Sequence, residues 1–411
     1  MDSCSFLSPT RLVVGRDSIE KTAELIKTYG GTSVLVACDP FIKKTMDLSG
    51  KVIKDLEAAG LKACEFTNMV VNPDIENVYE GLALARENGV DFLLAIGGGA
   101  VIDTCKAIAM GLPYDGDVWD FFIKHEDGTY WAPTKSTPIG VILTISATGS
   151  EASNSCVISK ASENLKRFCD NDINRPVFAI ENPELTLGLP PFQTACGCFD
   201  IMSHSLERYF GAQPENNELT DRICEAIFHT CLYCGKVLKE DPKNYDARAS
   251  LMLAGTLSHN DLTGIGRRQD WASHPIEHEL SAEFNVTHGA GMAVITIAWM
   301  KYVYNKNKDA HNLFLKWATR VMGVPMDFED PDRTIRQGIQ ALEDWVRNIG
   351  LPTRIQELPR VEKHLDEDVL LKMAKRVRSG REDGTVGGVV RCTTKDIVNI
   401  FKIAQGDEID E

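Results

Sequence analysis

The run Asp91-Phe-Leu-Leu-Ala-Ile-Gly97-Gly98-Gly99-Ala-Val-Ile-Asp103-Thr-Cys-Lys106 joins an apolar segment, a triple-glycine turn and the start of a helix. A short apolar run that ends in glycine is typical of a buried strand. Glycines let the backbone approach a phosphate, and the free N–H groups and dipole of a new helix favour its negative charge. An ordinary tight turn between strand and helix has the same composition, so this turn alone leaves both interpretations open.

Strands and helices alternate on both sides of this run, which predicts a mostly parallel sheet with helices on both faces. Helical periodicity dominates after Pro190-Pro191. We therefore expect an α/β plus all-α chain, with a Rossmann-like domain over 1–189, which holds the glycine turn, and an all-helical domain over 190–411. The strands are predicted at 33–38, 61–66, 92–96, 139–143 and 177–180, and helices among others at 75–88, 247–257, 313–322, 334–348 and 367–377.

A second strand, Gly31-Thr-Ser-Val-Leu-Val-Ala-Cys-Asp39, ends in a carboxylate. In dinucleotide sites an acid at a strand end accepts hydrogen bonds from the adenosine ribose hydroxyls and repels a 2′-phosphate, which favours NAD over NADP. Here the acid precedes the glycine turn, whereas the common fingerprint has the reverse order. Asp39 therefore strengthens the nucleotide interpretation without matching the usual motif.

Five residues between 200 and 288 have the types and spacing of a metal site. Asp200 and His204 are four residues apart, as are His274 and His278, and that spacing places each pair on one face of a helix. His288 follows ten residues later. Imidazoles with one carboxylate suit Fe(II), Zn(II), Co(II) or Ni(II) rather than Mg(II) or Ca(II). One histidine exceeds a four-ligand set, and a spare imidazole beside a metal suggests proton transfer.

The composition excludes several kinds of partner. The 411 residues carry a formal charge of −15 with a pI near 5.2, which argues against nucleic acid and anionic membranes. The most apolar run, 291–300, is about half a membrane span, and the first residues lack the pattern of a signal peptide. Twelve cysteines suit a reducing compartment. We expect a cytoplasmic protein. Isolated histidines at 125, 229, 259, 311 and 364 are interpreted as surface or core residues.

The motifs together resemble the iron-containing, or class III, alcohol dehydrogenases, and in particular their bacterial butanol dehydrogenase-like branch. They occur in family order over most of the chain. The motifs are Asn72-Pro73, Gly97-Gly-Gly-Ala-Val-Ile-Asp103 with Lys106, Thr144-Ile-Ser-Ala-Thr148-Gly-Ser-Glu151-Ala-Ser, Asp200-Ile-Met-Ser-His204-Ser-Leu-Glu207, and Asp270-Trp-Ala-Ser-His274-Pro-Ile-Glu-His278-Glu-Leu with Thr287-His288-Gly289.

The resemblance implies a dehydroquinate synthase-like architecture and a role for each motif. It implies a divalent metal, foremost Fe(II), held by Asp200, His204, His274 and His288, with His278 between metal and nicotinamide. It also implies that the glycine turn binds the pyrophosphate of NAD and that Asp39 faces the ribose. The remaining cofactor residues that it implies are Asn72, Asp103, Thr144, Thr148 and Lys166.

The function that follows is hydride transfer between NAD(H) and a small alcohol or aldehyde, in the cleft between the two domains. Relatives of this kind are usually homodimers or larger homo-oligomers, and the strand-like segment 11–15 could pair across such an interface. Two alternatives remain: a glycerol dehydrogenase-like or other sibling enzyme of the same fold, and a metal- or nucleotide-binding protein without turnover.

Overall fold

The structure is a computed structural model, and it describes residues 1–70, 72–211, 217–377 and 383–409. The chain divides into two compact units, Leu7–Leu189 and Pro190–Glu411, and Met1–Phe6 belongs to the second. We expected these six residues in the first domain. They group with the helical unit because the Asp2 backbone N–H donates to the Gly266 carbonyl at 3.0 Å and the Asp2 carboxylate pairs with Arg268 at 3.2 Å.

Among the described residues of the first unit, six strands form one sheet in the order β1-β8-β5-β4-β2-β3. Each neighbouring pair is parallel. The central strands are long apolar runs because helices cover both of their faces. The strands are β1 (Arg11–Val14), β2 (Ser33–Cys38), β3 (Lys62–Phe66), β4 (Phe92–Gly97), β5 (Ile139–Leu143), β6 (Ser155–Lys160), β7 (Leu165–Asp170) and β8 (Phe178–Glu181). The helices of this unit are α1 (Thr22–Thr28), α2 (Pro40–Met46), α3 (Leu48–Ala58), α4 (Ile75–Glu87) and α5 (Gly99–Gly111).

The strand order creates a switch point between β2 and β4. The chain leaves β2 toward β3 on one side of the pair and leaves β4 toward β5 on the other. In open α/β sheets, ligands bind in the crevice outside the carboxyl ends of the strands at such a point. Asp39 follows β2 and the glycine turn follows β4, so both lie at this crevice.

The second unit is helical in its described part. Nearly every residue of the central helices α6 and α10 is buried, and their apolar side chains join the core of this unit. Helices α12 and α14 begin with side-chain caps, from Asp330 and Thr393 respectively. The helices are α6 (Pro191–Tyr209), α7 (Glu218–Glu240), α8 (Tyr245–His259), α9 (Ser273–Phe284), α10 (His288–Lys306), α11 (His311–Arg320), α12 (Pro331–Asn348), α13 (Glu367–Arg376) and α14 (Thr394–Gln405). Over the described residues, no helix is long and apolar enough to span a membrane.

One strand feature was not expected from the sequence. Strands β6 and β7 form an antiparallel hairpin that the sequence patterns did not predict. Only alternate residues of β6 are buried and polar residues are frequent in both strands, so no continuous apolar run marks them. The strand-like segment 11–15 forms β1, which pairs in parallel with β8 of its own chain and lies at one edge of the sheet, and its pairing across an interface stays a prediction.

Candidate metal centre and nucleotide site

Three helices of the second unit carry the residues singled out as metal ligands. Asp200 and His204 lie on α6, one turn apart, and His274 and His278 lie on α9 with the same separation. His288 is the first residue of α10. The spacing therefore predicted the helical pairs correctly.

The side chains of these residues converge. Asp200, His204 and His274 are buried, and each offers a ligand atom that lies within 4.8 Å of the other two. His288 Nε2 lies 3.5 Å from Asp200 Oδ1, and His204 Nε2 lies 4.0 Å from the same oxygen. Carboxylate oxygen and imidazole nitrogen at these separations can surround one ion.

The protonation states fit a divalent cation. Burial, with the neighbouring charges of His259 and His274, lowers the pKa of His204 well below its usual range, so its imidazole is neutral. His274 Nε2 is buried and has no hydrogen-bond partner among the described residues. An unsatisfied buried polar atom costs about 1 to 3 kcal/mol, which a coordinated ion would remove. The donor set thus suits a divalent metal of the Fe, Zn, Co or Ni type.

Two glutamates that were not expected at the site bind its histidines. Glu207 Oε1 lies 3.0 Å from His274 Nδ1, and Glu277 Oε2 accepts from His288 Nδ1. Burial pushes the pKa of Glu207 upward, but its hydrogen bonds from His274 and Ser273 hold the pKa below the ordinary value. Glu207 and Glu277 each follow a candidate ligand by three residues and lie within the motifs that carry the family resemblance, although the sequence analysis gave them no role.

Glycines at the start of α10 bring His288 to the site. A Cβ atom on Gly289 would lie 2.2 Å from the Cys196 carbonyl oxygen, one turn before Asp200 on α6. A Cβ on Gly291 would lie 2.6 Å from Glu277 Oε1. The first contact is with backbone, so Gly289 is required for α10 to approach α6 this closely; the second is with a side chain, and Gly291 leaves room for the Glu277 carboxylate.

His278 lies beside the same cluster. It is buried, and its ring centroid is 5.7 Å from that of His288. His278, Glu277 and His288 also offer ligand atoms within 4.8 Å of one another. His278 therefore lies next to the candidate ligands, and its position is compatible with either a proton carrier or a metal ligand.

His259, interpreted from the sequence as a surface or core residue, lies at the site instead. It ends α8, and its ring stacks on His204 with centroids 4.0 Å apart and an interplanar angle of 26°. His274 stacks on His204 as well, at 4.9 Å. The Trp271 indole packs edge-on against His274 at 5.2 Å, and the Trp271 backbone has a φ of 53°, a strained value for a bulky residue. Because His259 stands alone in the sequence, without another histidine or acid at helical spacing, its contact with His204 could not be predicted.

In the first unit, the glycine turn is shaped by close packing. A Cβ on Gly97 would lie 2.4 Å from Val101, one on Gly98 would lie 2.3 Å from Ile145, and one on Gly99 would lie 2.6 Å from Thr148. None of the three glycines has a positive φ. Glycine is therefore needed here for close approach rather than for backbone conformation. Helix α5 starts at Gly99 and has no side-chain cap, so its first N–H groups are oriented for an anion.

Asp39 ends β2 beside this turn, where its N–H donates to the Ile96 carbonyl. Its Oδ1 accepts from the backbone N–H groups of Phe41 and Ile42 at 2.8 and 3.2 Å and thereby caps α2. Asp39 thus has a structural role that the sequence analysis did not foresee. The neighbouring Lys43 is paired with Asp47 at 2.7 Å and with Glu65 at 2.8 Å, so its charge is directed away from Asp39.

Asp103 is half-buried in the first turns of α5, and both of its carboxylate oxygens are hydrogen-bonded. Its two oxygens accept from the Ser150 hydroxyl at 2.6 Å and the Val157 N–H at 3.1 Å. Burial raises its pKa, against the charges of Lys106 and Lys166. Lys106 Nζ also donates to Ser150, at 2.8 Å. Asp103 and Lys106 therefore tie α5 to the segment that follows β5.

The other cofactor residues surround this network. The Thr144 N–H donates to the Gly97 carbonyl at 3.1 Å, and Thr148 Oγ1 accepts from the Ser150 N–H at 3.2 Å. Lys166 is buried in β7 of the hairpin. Asn72 is half-buried in the segment between β3 and α4, where the next residue, Pro73, accepts from the Ser159 N–H at 2.7 Å. Thr144 and Thr148 thus adjoin the glycine turn, whereas Lys166 and Asn72 belong to the hairpin side.

Comparison with known proteins covers both units. Residues 9–183 match the family model "Iron-containing alcohol dehydrogenase", and residues 194–405 match "Fe-containing alcohol dehydrogenase family, C-terminal". The chain is 37% identical over 405 residues to NADH-dependent butanol dehydrogenase A of Clostridium acetobutylicum, which is 98% of this chain and 99% of that protein. It is 31% identical to the NADPH-dependent aldehyde reductase YqhD of Escherichia coli, over 92% of this chain and 99% of that protein.

Among solved structures, NADH-dependent butanol dehydrogenase A of Thermotoga maritima is similar throughout. The TM-score is 0.90 at 32% identity, with 98% of this chain and 99% of that chain covered. The α/β unit followed by a helical unit is therefore a fold shared with solved members of the family, and the resemblance inferred from the motifs is confirmed. The chain belongs to the iron-containing alcohol dehydrogenase family, in its butanol dehydrogenase-like branch.

Proposed function

We propose that the chain interconverts a small aldehyde and its alcohol with NAD(H), at a divalent metal held by Asp200, His204, His274 and His288. Membership of the family makes the chain a metal-dependent alcohol dehydrogenase or aldehyde reductase. The observation that carries the residue assignment is the convergence of the buried Asp200, His204 and His274, with His288 Nε2 3.5 Å from Asp200. Fe(II) is the metal we favour on family grounds, and Zn, Co and Ni suit the same donors.

When bound, the metal supplies a Lewis acid that polarises the carbonyl, and NADH supplies the hydride. The residues of this chain set the conditions for that chemistry. Asp200 contributes a negative charge and His204 a neutral nitrogen in a buried setting, where both bind a cation more strongly than in water.

We propose that His278 moves the proton. Reduction of an aldehyde needs a proton at the oxygen, and oxidation of an alcohol releases one. His278 is buried one turn after His274 and adjoins His288, so an imidazole stands next to the ligand set. A histidine serves this role well because its ordinary pKa is close to neutral.

We propose that NAD(H) binds at the switch point between β2 and β4. The N–H groups at the start of α5 would donate hydrogen bonds to the pyrophosphate, and the Asp39 carboxylate would accept hydrogen bonds from the ribose hydroxyls. Thr144 and Thr148 would support the adjoining part of the cofactor, together with Asn72 and Lys166. Because both oxygens of Asp103 bond within the protein, it would shape the site from behind.

A small alcohol or aldehyde is the proposed substrate, and neither nucleic acid nor membrane is a proposed partner.

We also propose a homodimer or larger homo-oligomer, because β1 is an edge strand and a sheet edge can extend into a second copy. Light scattering at micromolar concentration tests this, and a monomeric mass contradicts it. A cytoplasmic location is supported by the cysteines, of which all but Cys4 and Cys64 are buried.

The activity is tested with a panel of short aldehydes and alcohols, both nicotinamides and protein purified without oxygen and loaded with Fe(II). We expect consumption of NADH with at least one short aldehyde and formation of NADH with the matching alcohol. A fully metal-loaded protein that turns over none of them would contradict the proposal and favour a binding protein without turnover.

A further inference from the structure

We propose that Glu207 and Glu277 are positioning residues that fix the orientation of His274 and His288 for metal binding. This inference rests on the metal site proposed above. It concerns how firmly two ligands are held, and it assigns that role to two buried carboxylates that each bond a histidine Nδ1.

The first carboxylate belongs to α6 and acts on α9. Glu207 Oε1 lies 3.0 Å from His274 Nδ1 and also accepts from the His274 backbone N–H at 2.9 Å and the Ser273 hydroxyl at 2.8 Å. A carboxylate can only accept, so Nδ1 carries the proton and Nε2 keeps its lone pair. That Nε2 atom is buried and has no hydrogen-bond partner in the part of the chain that the structure describes.

The second carboxylate belongs to α9 and acts on α10. Glu277 Oε2 accepts from His288 Nδ1, and Glu277 Oε1 accepts from the Ser281 hydroxyl. The same reasoning leaves His288 Nε2 with its lone pair, and this atom lies 3.5 Å from Asp200 Oδ1. The two carboxylates thus have matching surroundings, each with one histidine Nδ1 and one serine hydroxyl.

These contacts link three helices in sequence. Helix α6 orients a ligand of α9 through Glu207, and α9 orients a ligand of α10 through Glu277. Glu277 fits because Gly291 leaves space for its carboxylate. Partners of metal-bound histidines fix the tautomer and the ring plane, and their loss typically lowers metal affinity about 10- to 100-fold.

The test measures Co²⁺ binding to metal-free protein by titration and by visible absorption, which reports the geometry around the ion. We expect Glu207→Ala and Glu277→Ala each to bind one Co²⁺ about 10- to 100-fold more weakly, with an altered spectrum. Glu207→Gln and Glu277→Gln should recover part of the affinity, since an amide oxygen still accepts from Nδ1. These glutamine variants decide the question if an alanine variant does not fold.

Matched controls come from the serines. Ser273→Ala and Ser281→Ala each remove one hydrogen bond from the same carboxylates and leave the imidazole contact in place, so affinity and spectrum should stay near wild type. Equal losses in the serine and glutamate variants would overturn the inference, because general disturbance of the helices would then explain both. Wild-type affinity and spectrum in all the glutamate variants would overturn it as well.

Two further variants separate this inference from the metal site itself. His274→Ala and His288→Ala should lose Co²⁺ binding outright. If they bind Co²⁺ as the wild type does, the proposed ligand set is wrong. If they lose the ion while the glutamate variants keep wild-type affinity, the ligand set stands and only the positioning role is overturned.

Discussion

His288 Nε2 lies 3.5 Å from Asp200 Oδ1, although His288 is the first residue of α10 and Asp200 lies within α6. The contact exists because Gly289 carries no side chain and lets the start of α10 touch the backbone of α6 at Cys196. A local feature of the sequence, one glycine after a histidine, thus brings His288 next to Asp200, a candidate ligand far earlier in the chain.

Replacing His278 separates proton transfer from metal binding. His278→Ala should keep its metal and lose about 10²- to 10⁴-fold in turnover, because the ligand set is intact and the proton carrier is gone. Metal content and kcat are measured on the same preparation. Metal loss equal to that of His274→Ala would make His278 a ligand, which its grouping with Glu277 and His288 would then explain.

Cofactor choice depends on Asp39. In NADP a phosphate dianion would face its carboxylate, which disfavours NADP by roughly 1 to 4 kcal/mol. The wild type should therefore prefer NADH, and Asp39→Asn and Asp39→Gly should both shift kcat/KM toward NADPH.

Asp39→Asn is the matched control for the helix cap. Asparagine can accept from the Phe41 and Ile42 N–H groups as aspartate does, so the cap persists while the charge is lost. A shift in Asp39→Gly alone would attribute the effect to the cap, and an unchanged ratio in both variants would place the discriminating residue elsewhere.

The stacking of His259 on His204 should matter for metal affinity. Aromatic pairs contribute about 0.5 to 1.5 kcal/mol, so His259→Ala should weaken metal binding by roughly 2- to 10-fold. His259→Phe keeps a flat ring and should bind metal nearly as the wild type does. Metal titration measures both affinities. Equal weakening in the two variants would show that the ring nitrogens of His259 support metal binding and that its stacking on His204 does not.

Metal removal should destabilise the helical unit. Asp200, Glu207 and Glu277 are all buried, and without a cation their negative charges are only partly offset. Metal at about 1,000 times its dissociation constant contributes about 4 kcal/mol to the free energy of unfolding. Chelation should therefore lower the melting temperature of the wild type but scarcely that of His274→Ala. Identical melting with and without metal would contradict this.

The sheet was predictable because its central strands are continuous apolar runs. The expected strands at 33–38 and 139–143 coincide with β2 and β5. The β6–β7 hairpin was missed because its burial is partial and its turn, where Asn164 has a φ of 51°, contains no glycine. Apolar periodicity reports full burial well and a half-exposed hairpin poorly.

In the candidate site, pairs within one helix were predictable from the sequence, and contacts between helices were not. Spacing within a helix predicted the pairs Asp200–His204 and His274–His278, because residues four apart share a helical face. The contacts of Glu207, Glu277 and His259 join different helices, and spacing along the chain carries no information on such pairs. For Asp103 the motif predicts a place at the cofactor, but it could not predict the hydrogen bonds that its oxygens accept from Ser150 and Val157.

The most direct measurement is elemental analysis of protein purified without oxygen, as wild type and as His204→Ala and His274→Ala, with turnover measured on each. We expect about one divalent metal ion per wild-type chain, and loss of both metal and aldehyde reduction in each variant, since each removes a ligand. Full metal retention in His274→Ala, or undiminished turnover in a variant that has lost its metal, would contradict the assignment of this site.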